Sequence, residues 1–550
     1  MNDLSTLLAA CYEHERRAPE RRHMTQPLPG GLTEVYTWRR TLGEARRVAA
    51  RLRSLGLPSG SHIALISKNC AEFVIADLAI WMAGHVSVAL FPTLSSRALA
   101  ALLEHAEVRL AFIGKLDDAA AVEHALPEAM PRISFSIASA GVRGEPWREI
   151  LEGYEPISDS PQRRASDVAL LIYTSGSTGQ PKGVIHTFGG IAAAGHGLVR
   201  ALGVTDGDRV LSHLPLAHAM ERAGCEVTAL LSGMQVFFAE SPDTFVTDLK
   251  RARPTVIVSV PRLWLKLRQG VEQRFHPLRL EHLLRVPWLG RTLAARVLDG
   301  LGLDQVRVAI SGSAPLSEQV IRWYRRLGLD LQEGYGMTEN FAYSHVSQPG
   351  CGRVGYVGHS RDGVACRVGP GGEVLVKSPA NMLGYFKQPE LTRESFTGDG
   401  YLKTGDRGEL DAEGRLRITG RVKEMFKTSN GKYIAPAPIE NLLNAHTAIE
   451  ASCVLGSGQR APCALVTLVN GAEESAARLV RKLAAVRAEV NAQLARDQQL
   501  EFLVVSRRPW TIESGELTPS LKIRRGVIES AAEQHLASWY GRGAGVILEQ

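Results

Sequence analysis

The segment LLIYTSGSTGQPKGV, Leu170 to Val184, sets Gly176, Gly179 and Gly183 among Thr174, Ser175, Ser177, Thr178 and Lys182, directly after an apolar run. Such a loop suits phosphate. Glycine lets the backbone approach closely, main-chain N–H groups and hydroxyls donate to phosphate oxygens, and one lysine adds charge. A Walker A loop is excluded by spacing, because Pro181 precedes Lys182 and Gly183 follows it. A flexible Ser/Gly linker, the ordinary alternative, fits poorly with an order bounded by a strand. EGYGMTE, 333–339, joins a flat aromatic ring that suits a purine to a carboxylate that suits a hard cation. Asp406 in KTGD and Arg421 supply an acceptor and donors, types that suit a vicinal diol. His213 and His218 are five apart, off the one helical face that a zinc pair needs.

These residues require a scaffold that returns the chain to one place. The chain has 550 residues, 45% of them hydrophobic and 22% charged, which excludes disorder, collagen and coiled coil. Its mean hydropathy is −0.06. From Thr37 to about Ile310, helix-period segments alternate with the apolar runs 62–67, 87–91, 109–114, 168–173, 235–239, 255–260 and 307–312, a pattern that predicts α/β sheets covered by helices. In the first helix, Leu42, Val48, Leu52 and Leu55 share a face and the arginines are expected to point outward. After Lys403 the texture turns hairpin-like, and a domain boundary is expected near Gly420. Beyond it, Leu479, Leu483, Val486, Val490 and Leu494 mark one more amphipathic helix.

The net charge of +7 favours polyanionic small molecules without a nucleic-acid module. The seven cysteines contain no C-x-x-C pair, and a reducing cytoplasm suits them best. The most apolar stretch, 71–92, is broken by Asp77 and His85, so no membrane crossing is expected. The basic surplus is compatible with peripheral contact with anionic lipid at the inner membrane face, although an ordinary solvated surface is the preferred reading.

YTSGSTGQPKG resembles the phosphate loop of the adenylate-forming superfamily. LPLAHAMER (214–222), SGSAPL (311–316), EGYGMTE (333–339), YLKTGD (401–406), GRVKEMFKTSNGKYIAP (420–436) and LTPSLKIRR (517–525) follow in that superfamily's order. LPLAHxxER, FKTSxGKYIAP and LTPSLKIRR are most similar to the long-chain fatty acyl-CoA synthetase and bubblegum-type branch. The resemblance implies a large N-terminal lobe of α/β subdomains with a distorted barrel, 1–419, a hinge, 420–424, centred on Lys423, and a smaller mobile α+β lobe, 425–550.

It also implies roles. Tyr335 would lie against adenine with Ser313 and Ala314 opposite, and Glu333, Gly334 and Gly336 would border the base. Thr338 would touch the α-phosphate, Asp406 and Arg421 would hold the ribose, and Thr178 and Glu339 would hold Mg²⁺. Lys522 would bridge the substrate carboxylate and the α-phosphate, and His218 would gate the acyl pocket. Lys427, Asn430 and Gly431 would line a coenzyme A channel after the small lobe turns. Many relatives carry Asp where this chain has Gly420, which is expected to loosen the hinge.

The implied reaction converts a carboxylic acid and ATP to acyl-AMP and pyrophosphate, then to an acyl-CoA. The small residues Ala219, Ala223 and Gly224 would leave room for a medium- or long-chain fatty acid, with aryl or branched acids as competitors, and ordinary helix packing explains the same residues about equally well. A fatty acyl-AMP ligase that delivers to a carrier protein is the nearer rival. The 67 positions between Glu339 and Asp406 favour coenzyme A as acceptor. A catalytically silent nucleotide- or acyl-binding regulator is the rival from another class.

Overall fold

Aliphatic and β-branched runs pair into two eight-stranded sheets in this computed structural model, which describes residues 6–175, 181–275, 277–469, 475–512, 514–518 and 522–549. The first sheet runs in the order His345–Val346, Leu331–Tyr335, Val308–Ser311, Val256–Ser259, Arg209–Ser212, Gln235–Phe238, Arg22–Pro27, Thr33–Thr37. Its six inner strands are parallel and only its two edge strands are antiparallel. The second sheet centres on the parallel strands His62–Ile66, Val86–Leu90, Val108–Ile113 and Val168–Ser175. Parallel strands are covered on both faces, which is why they read as continuous apolar runs.

The helices Trp38–Ser54, Ala71–Met82 and Phe188–Leu202 join both sheets in one apolar core. All twelve residues of Ala71–Met82 are buried, Asp77 among them. In the first of these helices Leu42, Val48 and Leu52 are buried as their spacing predicts. The outward arginines are a correction. Arg46 pairs with Glu15 at 2.6 Å and Arg51 with Glu145 at 2.7 Å, both half-buried, because a long aliphatic stem packs while its guanidinium finds a carboxylate. Leu494 is also corrected: it lies past the end of the helix Ala476–Asn491, whose buried face is Leu479, Leu483, Val486 and Val490.

A third, four-stranded antiparallel sheet is built of Ala365–Val368, Glu373–Lys377, Leu402–Leu410 and Leu416–Arg421. A smaller α+β unit follows, with strands Ile449–Leu455, Cys463–Leu468, Leu503–Val505 and Val546–Leu548 and helices Pro436–Asn444, Ala476–Asn491 and Arg525–Gly541. The architecture is therefore the expected one, a large α/β lobe and a smaller α+β lobe. An ion pair between Arg262 and Glu450 links the two.

Candidate active site

In open parallel sheets, ligands bind outside the carboxyl ends of the strands. Ser313 and Ala314 follow Val308–Ser311, Tyr335 ends Leu331–Tyr335, and His218 lies beyond Arg209–Ser212, so three strands deliver their following residues to one edge. Ser313 holds φ +68°, uncommon for a residue with a side chain, and its hydroxyl donates to Met220 Sδ at 3.4 Å. Gly336 is required by packing, since a Cβ there would lie 2.5 Å from the backbone of Ala342. Thr338 and Glu339 occupy the tight turn Thr338–Asn340, whose start is fixed by Met337 N–H donating to Asn340 Oδ1 at 2.9 Å.

Asp406 and Arg421 are directly opposite each other on antiparallel strands, and this register puts Arg421 Nε 3.0 Å from Asp406 Oδ1. Tyr335 donates its hydroxyl to the other oxygen at 2.7 Å. Two expected ribose partners and the expected adenine partner thus form one cluster. Glu333 Oε1 accepts from the Leu316 N–H at 2.9 Å, and Gly334 follows it in the strand.

The phosphate-loop candidates Gly176, Ser177, Thr178 and Gly179 lie outside the described residues. Their flanks form an antiparallel hairpin, Val168–Ser175 with Pro181–Thr187, in which Thr174 pairs with Lys182 and Ser175 with Pro181. A strand thus continues the loop, not the helix that follows a Walker A loop.

The sequence reading missed Tyr385. It sits on Gly384–Tyr385, which pairs with Val184 and Ile185 beside the hairpin. Its hydroxyl donates to Glu339 Oε1 at 2.8 Å, and Lys182 Nζ lies 5.5 Å from its ring centre. His186 was missed too; its Nε2 lies 2.8 Å from the carbonyl of Thr338. Both contacts are between distant segments, so no local spacing could have announced them.

Lys522 comes from the small lobe. Leu517 and Ile523 bridge, the Thr518 N–H donates to the carbonyl of Lys522 at 2.8 Å, and the Lys522 N–H donates to Thr518 Oγ1 at 3.1 Å. Next to this turn Arg525 grips both oxygens of Glu440 at 2.7 Å and donates to the carbonyl of Val454 at 3.1 Å. Arg525 is a positioning residue that sequence reasoning passed over within its own motif. Lys522 is close enough to Asp406, Arg421, Glu339 and His218 to exchange electrostatic influence with them. It keeps solvent-accessible surface. Lys423 is exposed in the turn Val422–Glu424. Lys427, Asn430 and Gly431 are exposed on the hairpin of Phe426–Lys427 and Tyr433–Ile434, where Asn430 donates to the carbonyl of Arg460 at 3.1 Å.

Two family models match this chain: AMP-binding enzyme over residues 11–386, and AMP-binding enzyme C-terminal domain over 424–543. The chain belongs to the AMP-binding enzyme family. This AMP-binding enzyme is 29% identical over 589 residues to a protein named long-chain-fatty-acid–CoA ligase FadD15 of Mycobacterium bovis, covering 97% of each chain. It is 30% identical to the peroxisomal long chain acyl-CoA synthetase 6 of Arabidopsis thaliana, covering 90% of this chain and 80% of that one. Among solved structures, the adenylation domain of a carboxylate reductase from Mycobacterium chelonae superposes with a TM-score of 0.81 at 22% identity, covering 98% of this chain and 92% of that one. The recognised branch, adenylate-forming long-chain acyl-CoA synthetases, stands.

The electrostatics of this AMP-binding enzyme follow from burial. Burial, and then the positive charge of Lys522, depress the His218 imidazole to about 3, so it is neutral at pH 7. Its Nδ1 accepts from the Met220 N–H at 3.1 Å and starts the short helix Ala219–Glu221. Burial pushes the Glu333 carboxyl up to about 7 against the Leu316 N–H. Burial raises Asp406 as well, opposed by the Arg421 charge. Desolvation, and then Arg421, hold Lys522 below the ordinary lysine value, while Asp406 and Glu339 restore part of it.

Behind His218, Ala223 and Gly224 lie in a π-helical turn, Arg222–Val227. Fully buried Arg222 holds it through Asp77 at 2.6 Å and Glu226 at 3.1 Å. Ala219 and Ala223 are buried, and the missing Cβ of Gly224 faces Val258 at ordinary contact distance. Among the described residues no group of three or more His, Cys, Asp or Glu could hold a metal. Glu339 presents a carboxylate with one oxygen engaged by Tyr385. A lone carboxylate of this kind fits Mg²⁺, which takes one or two carboxylates plus substrate phosphates. All seven cysteines are free.

Proposed function

We propose that this AMP-binding enzyme is an ATP-dependent fatty acyl-CoA synthetase, with medium- or long-chain acids as substrates. The observation that carries the reading is the Lys522 turn, presented by the small lobe to the cluster of Asp406, Arg421, Glu339 and His218. In this proposal 1–419 binds ATP and the acid, 420–424 is the hinge, and 425–550 moves.

A carboxylate of pKa about 4 to 5 is ionised at pH 7, so the first step needs no general base. Its obstacle is bringing one anion onto another. The carboxylate attacks the α-phosphorus of ATP, forming acyl-AMP as pyrophosphate leaves. Lys522 neutralises charge on the carboxylate and the α-phosphate, and Thr338 donates to the latter. Lys182 and the 174–179 loop hold the departing phosphates. Asp406 and Arg421 bind the ribose diol, and Tyr335 covers adenine with Ser313, Ala314 and the 333–336 strand end around it. Glu339 and Thr178 would hold Mg²⁺, which would supply positive charge at the phosphates. His218, neutral and fixed through its Nδ1, guards the acyl pocket without serving as a base.

The thiol of coenzyme A then attacks the acyl carbon and AMP leaves. For this step the small lobe turns about Lys423, withdrawing Lys522 and offering Lys427, Asn430 and Gly431 to the pantetheine arm. Purified protein incubated with ATP, Mg²⁺ and a chain-length ladder of acids, with and without coenzyme A, tests this. The expected product is acyl-CoA, with acyl-AMP when coenzyme A is omitted. Acyl-AMP alone in both cases identifies an acyl-AMP ligase, and no product identifies a silent binder.

A further inference from the structure

Seven of the eight tryptophans are buried, and Trp288 alone is 74% exposed. It is not isolated. Phe275, Leu283 and Val286 are exposed at about 40% each, so four of the large apolar side chains that reach solvent fall within fourteen residues. Leu283, Val286 and Trp288 lie at the turn of a helical hairpin, Pro277–Leu284 and Pro287–Leu301, and Phe275 precedes its first helix. The hairpin is tight: a Cβ at Gly290 would stand 2.4 Å from the carbonyl oxygen of Leu284. Hence the turn that carries Leu283 and Val286 is pinned at the start of the second helix, with Trp288 in that helix's first turn.

The second helix has two unlike faces. Gly290, Ala294, Val297 and Leu301 are buried. Trp288, Arg291, Ala295 and Arg296 lie on the opposite arc, all exposed, with Arg285 exposed just before them. Arg285, Arg291 and Arg296 have no ion-pair partner among the described residues. The acid Glu281 is taken by Arg326, and Asp299, the one acid on the exposed arc, lies three turns beyond Trp288. An apolar tip ringed by unpaired guanidinium groups is poorly matched to water alone. Tryptophan favours the boundary between headgroups and acyl chains, and arginine favours anionic headgroups.

No helix among the described residues is long and apolar enough to cross a bilayer. The hairpin would therefore lie on one. We propose that the 283–296 face is a docking surface for an anionic phospholipid bilayer. The charge decides the occupant: a second copy of this chain would set like-charged arginines against each other, whereas phosphatidylglycerol offers the complementary sign. This inference is independent of which acid is activated.

The test uses the full chain with vesicles of phosphatidylglycerol or of phosphatidylcholine. Comparison with Trp288→Phe isolates the emission of the exposed indole. Expected are a blue shift and quenching by brominated lipid on phosphatidylglycerol, weakened by salt, with little change on phosphatidylcholine. R285E/R291E lowers vesicle partitioning by about tenfold or more while pyrophosphate exchange is retained. Trp288 emission that ignores phosphatidylglycerol, that responds equally to both lipids, or that shifts with protein concentration in the absence of lipid overturns the proposal; the last outcome assigns the face to a second copy. The quenching needs no variant, so a misfolded mutant does not obscure the answer.

Discussion

The two lobes contribute to the cleft in different ways. On the large lobe the cluster is held by distant parts of the chain: Tyr335 by Asp406, which also pairs with Arg421 of the adjoining strand, Glu339 by Tyr385, and the backbone carbonyl of Thr338 by His186. Lys522 stands on a short turn that is anchored within its own lobe, by Arg525 on Glu440, and it faces the cluster without a recorded hydrogen bond from its ammonium group among the described residues. The first half is preorganised to bind. The second is anchored within its own lobe, an arrangement that suits the two successive half-reactions proposed above.

Breaking the fixed half is expected to have the largest consequence. Asp406→Ala removes the acceptor shared by Tyr335 and Arg421 and is expected to lower kcat/KM for ATP by about 100-fold, most of it through KM, as steady-state kinetics will show. Tyr385→Phe deletes one hydrogen bond to a carboxylate, and about a tenfold loss in adenylate formation is expected, with a raised requirement for Mg²⁺ in titrations. An unchanged Mg²⁺ response would remove Tyr385 from the site.

Gly420 sharpens the contrast between the lobes. Its φ of +150° is one that a side chain resists, and a Cβ there would stand 3.3 Å from that of Ala435. The sequence suggests looseness at the hinge; the structure adds a strained backbone that glycine alone accepts readily. Gly420→Asp is expected to lower the first half-reaction several-fold more than the second, measured separately in single turnovers.

The smallest effect on catalysis is expected at Glu221, whose carboxyl burial pushes up to about 8. Between pH 4.5 and 8 the folded chain keeps this proton and the unfolded chain loses it, so the contribution is full below 4.5 and declines as pH rises, by at most about 1.4 kcal/mol per pH unit. Glu221→Gln should flatten that decline in denaturant melts at pH 5 and pH 8. An unaltered slope would mean that Glu221 is ionised in the fold.

What was legible in the sequence follows the same division. The seven apolar runs became strands because a parallel sheet demands apolar residues on both faces, and His218, Ser313, Ala314 and Tyr335 collected at one sheet edge because they end or follow parallel strands. The inner strand Arg22–Pro27 and the edge strands Thr33–Thr37 and Gly384–Tyr385 were invisible: they are short or polar and exist through pairing that no local pattern announces. Tyr385, His186 and Arg525 were missed for the same reason. Each acts through a contact that only the tertiary structure creates. The apparent interruption at Asp77 had the opposite explanation, since Arg222 and Glu226 bury it within the core.

The central claim is that Lys522 serves the first half-reaction and is withdrawn from the second. The most direct measurement compares Lys522→Ala with the unaltered chain in exchange of labelled pyrophosphate into ATP and, separately, in conversion of supplied acyl-AMP and coenzyme A to thioester. Exchange is expected to fall by about 1000-fold or more, with thioester formation within a few-fold of the unaltered chain. Equal loss of both, or full exchange without the lysine, would contradict the account.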